Sequence, residues 1–484
     1  MSGLKVLSVA SEIFPLVKTG GLADVAGALP GALKREGILV RTLVPAYPAV
    51  KAKLAEVSTI GEYSDLFGGP ARVLAGAAAG LDLFALDAPH LYDRPGNPYL
   101  RPDGLDWTDN ARRFAALARV GADIGLGAIG PFRPEVVHAH DWQAALAPAY
   151  LHFASALRPA TVITIHNLAF QGHFPLSTFW ELGLPERALT IDGVEYFGGV
   201  GYLKAGLRLA DGITTVSPTY AREITTPEFG MALDGLLRSR ASTLHGILNG
   251  IDDVVWNPAA DPAVPQNYSA LRIDMRARNK TALQNKLGLT PSPDRPLFAV
   301  VSRLSHQKGL DLMLSAMPQF VAKGGQFGLL GSGERTLEEG FADAAANRAD
   351  SIGCVFGYDE RLAHLFQAGA DFVVVPSRFE PCGLTQLCAL RYGATPIVSR
   401  VGGLADTVID ANEAATAAGV ATGVQFSPTS VEALSSAFDR AFELFHNKES
   451  MRRVRLNGMR ADVSWRGPAR RYAALYRSLA GAAR

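Results

Sequence analysis

Short apolar runs rich in β-branched residues recur along the chain, and each is followed by a stretch with the apolar spacing of a helix. Runs that are apolar throughout are typical of parallel strands that are buried on both faces of a sheet. The N-terminal series of predicted strands comprises Lys5–Ala10, Val40–Pro45, Leu81–Asp87, Val136–His140, Thr161–His166 and Gly212–Ser217. The C-terminal series comprises Gly246–Asn249, Leu297–Ser302, Phe327–Gly331, Ile352–Phe356, Phe372–Pro376, Thr395–Ser399 and Gly423–Phe426. Two series of strands that alternate with helices predict two doubly wound α/β domains.

The length of the chain agrees with two domains, because 484 residues exceed what one hydrophobic core usually spans. The join is predicted near the segment Asn249-Gly250-Ile251-Asp252-Asp253, which a Pro- and Ala-rich stretch follows. We therefore predict domains at residues 1–248 and 249–460, with a C-terminal tail at 461–484.

The pentapeptide Gly-Gly-Leu-Ala-Asp occurs twice, at residues 20–24 and 402–406. Each copy follows a predicted strand and opens a predicted helix, which indicates that the two halves share a plan. Doubly wound sheets bind ligands at the carboxyl ends of their strands. The repeat therefore favours a two-domain enzyme that holds its substrate from both sides.

Composition narrows the class of protein. Hydrophobic residues make up 48% of the chain and charged residues 19%, the net charge is +1, and no dense Lys/Arg block occurs, so nucleic-acid binding is not predicted. Three cysteines without disulfide or zinc spacing favour a reducing compartment. No signal peptide and no apolar run of membrane-spanning length are recognised, so we predict a cytoplasmic protein without a membrane partner.

Two loops of the C-terminal half carry candidate chemistry. Arg303 and Lys308 follow one predicted strand and are suited to a pyrophosphate, although a pair of solvated surface charges is the alternative. Glu380 follows another strand, and a helix is predicted to start near Cys382 or Gly383, where free N–H groups favour an anion. The alternative makes Glu380 and Thr385 helix-capping residues.

The N-terminal half offers a second set of polar residues at strand ends. Lys18 precedes the paired glycines Gly20 and Gly21, which allow close approach of a ligand, but the order differs from a Walker A motif. The segments His138-Ala139-His140-Asp141 and His166-Asn167 each end a strand. Either histidine segment alone favours a structural role over a catalytic one, but two such strand ends in one domain favour a site.

Several motifs are missing, and this narrows the chemistry further. The chain has no Asp-x-Asp pair, no Gly-x-Ser-x-Gly elbow and no His-Glu-x-x-His helix. We therefore predict no metal site and no cofactor. Gly331-Ser332-Gly333-Glu334 resembles half of a dinucleotide fingerprint and is interpreted as a turn.

With these motifs assembled, the chain resembles the bacterial glycogen synthases, which are glucosyltransferases of the starch-synthase type. The resemblance runs from Ser11-Glu12 to Trp465 and rests on the segments Lys18–Asp24, Arg303–Lys308 and Glu380–Thr385. It implies two facing Rossmann-like domains of the GT-B architecture with a deep interdomain cleft. It also implies that the C-terminal tail packs back on the N-terminal domain.

The resemblance implies a role for each matching residue. The donor's sugar and phosphates would contact Lys18, Gly20, Gly21 and Asp24, and the sugar pocket would be lined by Asp141, His166 and Asn167. The pyrophosphate would be held by Arg303 and Lys308, and the sugar hydroxyls by Glu380 above the backbone of Cys382, Gly383 and Leu384, with Thr385 beside them. The nucleoside would contact Tyr99 and Tyr358, and Asn249 would lie at the hinge facing the cleft.

The implied reaction transfers glucose from ADP-glucose to the 4-hydroxyl of an α-1,4-glucan such as glycogen, with retention of configuration and release of ADP. Two positions depart from the expected pattern: Cys388 stands where related transferases carry a second Glu, and Ser305 stands where Thr is expected. A transferase that uses UDP-glucose or another acceptor stays open as an alternative. So do a nucleotide-sugar epimerase, a nicotinamide oxidoreductase and a non-catalytic glucan-binding protein. The oligomeric state is left open.

Overall fold

The structure is a computed structural model that describes residues 3–154 and 157–482. It divides into an N-terminal unit, Met1–Asn249 with Trp465–Arg484, and a C-terminal unit, Gly250–Ser464. The sequence placed these limits at 248 and 460. Within the described ranges, every helix is too short or too polar to span a bilayer.

The N-terminal unit is built on a large sheet. Its strands are, in chain order, β1 (Leu4–Val9), β2 (Ile38–Pro45), β3 (Ala55–Tyr63), β4 (Ala71–Ala78), β5 (Leu81–Asp87), β6 (Val136–His140), β7 (Ala160–Ile165), β8 (His173–Pro175), β9 (Glu195–Tyr196), β10 (Gly199–Gly201), β11 (Gly212–Thr215) and β12 (Leu244–Gly246). Nine of them form a sheet in the order β12-β11-β7-β6-β1-β2-β5-β4-β3, and the separate small sheet has the order β8-β10-β9. Pairing in the large sheet is parallel except around β4, which is antiparallel to both of its neighbours.

One strand prediction is wrong in its assignment. Gly246–Asn249 was expected to open the C-terminal series, whereas β12 ends at Gly246 and pairs in parallel with β11 of the N-terminal sheet. The strands β3, β4 and β8 to β10 were not predicted. Most of β3 is exposed at the sheet edge and β4 is rich in alanine, so neither shows the buried apolar run used to find the others.

Helices cover the large sheet. They are α1 (Gly21–Arg35), α2 (Pro48–Lys51), α3 (Pro89–Tyr92), α4 (Asn110–Gly125), α5 (Asp141–Ala144), α6 (Leu146–Ala154), α7 (Tyr202–Leu209), α8 (Pro218–Glu223) and α9 (Asp234–Ser239). Short 3-10 helices lie at Leu176–Glu181, Glu186–Ala188 and Ala241–Thr243. Helix α4 is buried along most of its length, which places it inside the main core.

The C-terminal unit has a fully parallel sheet. Its strands are β13 (Leu297–Val301), β14 (Gln326–Gly331), β15 (Ile352–Phe356), β16 (Phe372–Val375), β17 (Thr395–Ser399) and β18 (Val424–Phe426), in the sheet order β15-β14-β13-β16-β17-β18. Each agrees with a predicted strand to within one residue at either end. The continuous apolar runs identified them because both faces of this sheet are buried.

Helices pack on both faces of this sheet. They are α10 (Ala277–Lys286), α11 (Leu310–Ala322), α12 (Arg335–Asn347), α13 (Glu360–Gly369), α14 (Thr385–Tyr392), α15 (Gly402–Thr407), α16 (Glu413–Ala417), α17 (Val431–His446) and α18 (Lys448–Arg460), with 3-10 turns at Ala270–Arg276 and His306–Lys308. The core on one face of the sheet contains Phe298, whose ring contacts those of Phe320 and Phe438. Leu283 and Phe366 lie in the core on the other. The two doubly wound α/β domains predicted from the sequence are confirmed.

The C-terminal helix α19 (Arg466–Ala482) belongs to the N-terminal unit. Trp465, Tyr472 and Tyr476 are buried in a cluster that includes Leu29 of α1 and Val162 of β7. The apolar stripe of the helix therefore completes the core on one face of the large sheet.

The strand orders determine where a ligand can bind. In the N-terminal sheet β1 lies between β2 and β6, so the chain winds in opposite directions from the β1/β6 gap; the β13/β16 pair does the same in the C-terminal sheet. Ligands of doubly wound sheets bind at the carboxyl edge of such switch points. The loops after these four strands hold most of the residues singled out in the sequence.

Candidate active site

In the C-terminal unit the two predicted loops meet through an ion pair. Lys308 follows β13 and Glu380 follows β16, and Lys308 Nζ donates to Glu380 Oε2 at 2.7 Å. Ser377 Oγ donates to the same oxygen at 2.8 Å. The alternative of solvated surface charges is therefore wrong for Lys308, and Glu380 does not cap a helix.

A cavity of about 50 Å³ opens beside this pair. Its lining includes the candidate residues Lys308, Glu380, Gly383, Leu384 and Thr385. Helix α14 begins at Thr385, two to three residues later than predicted, because Gly383 adopts a φ of +75° outside the helix. The N–H groups before α14 therefore belong to a loop, and Cys382 is buried directly behind it.

A second ion pair braces the two loops, and sequence reasoning missed it. Arg378 donates through both terminal nitrogens to Asp311, at 2.7 and 2.6 Å, and its Nη1 also donates to the His306 carbonyl at 2.7 Å. Gly309 follows Lys308 with a φ of +66°, and a Cβ there would lie 2.0 Å from the Pro376 carbonyl oxygen. The close approach of the two loops holds Lys308 next to Glu380.

Two candidate residues of this unit lie away from the cavity lining. Arg303 is exposed on the loop after β13, and no ion-pair partner for it is found among the described residues. Tyr358 is 73% exposed, and its hydroxyl donates to Glu360 Oε2 at 2.9 Å. Their side chains would have to meet a ligand from the open side.

The second pentapeptide copy supports the Glu380 loop from behind. The N–H of Gly403 donates to the Glu380 carbonyl at 3.0 Å. Gly402 has a φ of +42°, and a Cβ on it would lie 2.0 Å from the Glu380 carbonyl oxygen. This copy therefore has a packing function that requires glycine, whereas the glycines of the first copy, Gly20 and Gly21, are accessible at the start of α1.

We expect Gly402→Ala to lower the thermal midpoint clearly, because it combines a disfavoured backbone conformation, costing about 1–3 kcal/mol, with a clash against the backbone. Gly20→Ala is the matched control from the first copy: its φ is −157° and no atom lies within 4 Å of an added Cβ. Calorimetry of both variants measures the difference. Equal midpoints would show that the two copies serve the same purpose.

The position of the missing second carboxylate is apolar. Cys388 is buried in a cluster with Ile251 and Leu387. A charged Glu side chain among these neighbours would be costly to bury. The surroundings of Cys388 thus fit the departure noted in the sequence.

In the N-terminal unit, Asp141 lies at the end of β6 and begins α5. Its Oδ1 accepts the N–H of His166 at 2.7 Å, which joins the loops after β6 and β7. Burial raises the pKa of Asp141 to about 7, against the lowering effect of hydrogen bonds from the N–H groups of His166 and Asn167, and the negative charge of Glu12 raises it further. Its φ is +54°, a conformation that favours Gly, Asn and Asp.

Three histidines stack behind Asp141. The rings of His138 and His140 lie 4.0 Å apart, and a hydrogen bond of 3.0 Å joins His140 Nδ1 to His166 Nε2. Tyr476 of α19 bonds to His138 Nδ1 at 2.7 Å, and Thr164 bonds to its other nitrogen at 2.5 Å. Burial lowers the pKa of His140 to about 3 and also lowers the pKa of His138 and of His166. The stack is therefore uncharged at neutral pH, and it connects the C-terminal helix to His166.

We expect these histidines to make the protein labile in acid. Their folded pKa values lie below the usual 6.5, so their contribution to stability is present above pH 6.5 and is lost as the pH falls. Asp141 has a raised pKa, so it releases one proton on unfolding between pH 4 and 7. This release offsets one of the three protons that the histidines take up. The net uptake of about two protons on unfolding corresponds to about 3 kcal/mol per pH unit near pH 5.

Urea titrations between pH 4 and 8 measure this slope. His140→Gln should reduce it by about one proton. A flat profile in the wild type would contradict buried neutral histidines.

The Lys18 loop lies at the end of β1, next to β6 in the sheet. Lys18 Nζ donates to Asp24 at 2.7 Å, and both side chains are partly exposed, as are Gly20 and Gly21. Tyr99 was expected to contact a nucleoside. Its hydroxyl bonds to Ser11 at 2.8 Å and donates to Glu12, and its ring lies 5.8 Å from the ring of Phe114.

Asn249 is the last residue of the first segment of the N-terminal unit. It is buried, and no hydrogen-bond partner of its Oδ1 is found in the described part of the chain. No cluster of three or more His, Cys, Asp or Glu residues suited to a metal ion occurs there either.

Comparison with known proteins agrees with this architecture. Residues 5–239 match the starch synthase catalytic domain, and residues 284–459 match the glycosyl transferases group 1. Glycogen synthase of Rhodopseudomonas palustris is 60% identical over 479 residues, covering 99% of both chains. Glycogen synthase of Methylocella silvestris is 59% identical with the same coverage.

Solved structures show the same relationship. The catalytic domain of Starch Synthase IV from Arabidopsis thaliana, bound to ADP and acarbose, matches with a TM-score of 0.90 and 31% identity over 99% of this chain and 100% of that one. Sucrose-phosphate synthase from Thermosynechococcus elongatus shares the fold, with a TM-score of 0.61 and 18% identity over 99% of this chain and 100% of that one. With two Rossmann-like domains and relatives that match over its full length, the chain is a glycosyltransferase of GT-B type and belongs to the glycogen synthase family.

Proposed function

We propose that the protein transfers glucose from ADP-glucose to the 4-hydroxyl of an α-1,4-glucan, with retention of configuration and release of ADP. The observation that carries the proposal is the Lys308–Glu380 pair beside the cavity at the β13/β16 switch point. The starch synthase with a TM-score of 0.90 to this chain binds ADP and acarbose, a nucleotide and an oligosaccharide. These are the two kinds of ligand that such a transferase needs.

In this proposal Lys308 and Arg303 meet the pyrophosphate of the donor. Negative charge grows on the phosphate as the glucosyl bond breaks, and fixed cations stabilise that charge more than they stabilise the intact donor. Lys308 is held by Glu380, so its position is set before the donor arrives. Arg303 is exposed and would close on the phosphates from outside.

Glu380 and the N–H groups around Gly383 would bind the donor sugar in the cavity. The positive φ of Gly383 turns this loop before α14 begins, and Thr385 opens the helix beside it. Tyr358 is exposed and would contact the nucleoside. We assign these residues to the donor.

The N-terminal unit would supply the sugar pocket. Asp141, His166 and Asn167 are already joined by hydrogen bonds, and Lys18 and Asp24 lie on the neighbouring loop. Retention without a second carboxylate favours attack from the same face as the departing phosphate, because Cys388 takes the position of that carboxylate. A cytoplasmic location stays part of the proposal.

The decisive experiment is a measurement of ADP release from ADP-glucose with glycogen, with labelled glucose followed into polymer. Acceptor-dependent release with label in the polymer supports the proposal. Turnover with UDP-glucose but not with ADP-glucose would show that UDP-glucose is the donor. Release of glucose in the absence of an acceptor would show that the protein is a hydrolase. A folded protein that turns over neither donor would refute the assigned reaction.

A further inference from the structure

Glu12 is a buried carboxylate that the proposed reaction does not use. It lies three residues after β1 and is 3% exposed. Four hydrogen-bond donors converge on it. They are the N–H of Thr19, the N–H of Gly20 at 3.3 Å, the hydroxyl of Thr19 at 2.7 Å and the hydroxyl of Tyr99.

These bonds tie the two ends of the connection between β1 and α1 to each other. Both backbone donors reach Oε2, and both hydroxyls reach Oε1. Thr19 and Gly20 follow Lys18 directly and precede α1, in a stretch without regular secondary structure. Because Tyr99 also bonds to Ser11, the carboxylate is held on its other side by a second segment.

We propose that Glu12 is a positioning residue for glucosyl transfer, whose carboxylate holds the Lys18-Thr19-Gly20 loop in the one conformation that presents Lys18 and Gly20 to the donor. The inference rests on the proposed function, since that assigns Lys18 and Gly20 to the donor. The Lys18–Asp24 ion pair orients the side chain within the loop, but it is partly exposed and spans only six residues. Glu12 is the buried anchor of the loop, close to the end of β1.

Glu12 also acts on the neighbouring candidate residue by charge. Its negative charge is one of the influences that raise the pKa of Asp141, after burial of that carboxyl. The Lys18 loop and the Asp141 loop therefore share one buried anion at the β1/β6 switch point. A change at Glu12 should therefore alter the Lys18 loop through its hydrogen bonds and Asp141 through its charge. A residue that only stabilises the fold would not have both effects.

Glu12→Gln keeps the size of the side chain and removes its charge. The Gln amide has one acceptor oxygen in place of two, so it cannot accept from the N–H groups of Thr19 and Gly20 and from the hydroxyls of Thr19 and Tyr99 at the same time, and one pair of donors loses its acceptor. We expect KM for ADP-glucose to rise at least tenfold while KM for the glucan stays within twofold. The acidic limb of the kcat/KM profile should move to lower pH, because Asp141 ionises more readily without a neighbouring anion.

Asp87→Asn is the matched control. Asp87 is a carboxylate of the same unit, 4% exposed and bound by Lys51 and Arg72, and it has no part in the proposed reaction. It should lose thermal stability while both KM values stay at the wild-type level. If Asp87→Asn raised KM for ADP-glucose as much as Glu12→Gln does, the effect would be general and the inference would fail.

A double-mutant cycle tests whether Glu12 acts through Lys18. Lys18→Ala should raise KM for ADP-glucose, and adding Glu12→Gln should then change it by less than threefold. Independent, multiplying effects would overturn the inference. If Lys18→Ala has wild-type kinetics, the proposed role of Lys18 is wrong and the inference falls with it. If only Glu12→Gln is silent, the inference alone is wrong.

Thr19 provides a second route if Glu12→Gln does not fold. Thr19→Val removes one donor to Glu12 and leaves the carboxylate in place, so KM for ADP-glucose should rise about threefold. Thr19→Ser keeps the hydroxyl and should behave as the wild type. Wild-type kinetics in Thr19→Val would then refute the positioning role.

Discussion

Lys308→Ala is expected to lower kcat with ADP-glucose about 100-fold or more. The removed ammonium is the cation that the structure holds beside the cavity, and loss of one preorganised group that stabilises developing charge has an effect of this size. The substitution also removes one of the two side chains that donate to Glu380 Oε2 and leaves the hydroxyl of Ser377, so the carboxylate is less well held. Steady-state kinetics with saturating glycogen measure the loss.

Lys323→Ala is the control for this prediction. Lys323 lies in the same unit and pairs with Asp439 at the surface, where ion pairs contribute little. Its kinetics should match the wild type. A kcat for Lys308→Ala within threefold of the wild type would rule out its leaving-group role and reduce the Lys308–Glu380 pair to a structural brace.

Strands were predictable where burial on both faces produces a continuous apolar run. Ile352–Phe356 and Thr395–Ser399 of the C-terminal sheet were predicted with their observed ends for this reason. The edge strand Ala55–Tyr63 was missed because it is mostly exposed, so its sequence lacks that run. The predicted strand Gly246–Asn249 was assigned to the C-terminal domain, whereas the observed strand is Leu244–Gly246 and pairs with β11, a contact that a local pattern does not contain.

The candidate site was likewise predictable only in part. Charged residues just past strand ends were found from the sequence, since parallel strands present their carboxyl ends at one edge. That Lys308 and Glu380 are neighbours follows from the adjacency of β13 and β16, which only the strand order reveals. Glu12 was missed because its partners lie seven, eight and 87 positions away. Tyr99 was predicted to contact a nucleoside because it is aromatic. Its hydrogen bonds to Ser11 and Glu12 could not be read from the sequence.

Asp141→Asn is expected to make the protein more stable and less active. Burial raises the pKa of Asp141 to about 7, so the native state resists the ionisation that the unfolded chain undergoes near pH 4. For a carboxyl group with a raised pKa, stability falls as the pH rises from about 4 to 7. The cost at pH 8 is on the order of 4 kcal/mol at most, since one pKa unit corresponds to about 1.4 kcal/mol.

Asparagine removes this cost without disturbing the fold. It tolerates the φ of +54°, and its amide oxygen can accept the N–H of His166. The variant should match the wild type near pH 4 and unfold at higher urea concentration at pH 8. Its kcat/KM should fall about 10- to 100-fold, the size expected when a hydrogen bond to a charged group is lost.

Asp87→Asn should change the free energy of unfolding in the opposite direction. Burial alone would raise the pKa of Asp87, but hydrogen bonds and charges from Lys51 and Arg72 outweigh it and lower the pKa, so its ionised form contributes stability above pH 4. That variant should be less stable at pH 8. If Asp141→Asn also destabilised at pH 8, the charge of Asp141 would be compensated in the native state. A gain in stability paired with a loss of activity would show instead that the fold retains a costly buried charge at the β1/β6 switch point because the reaction uses it.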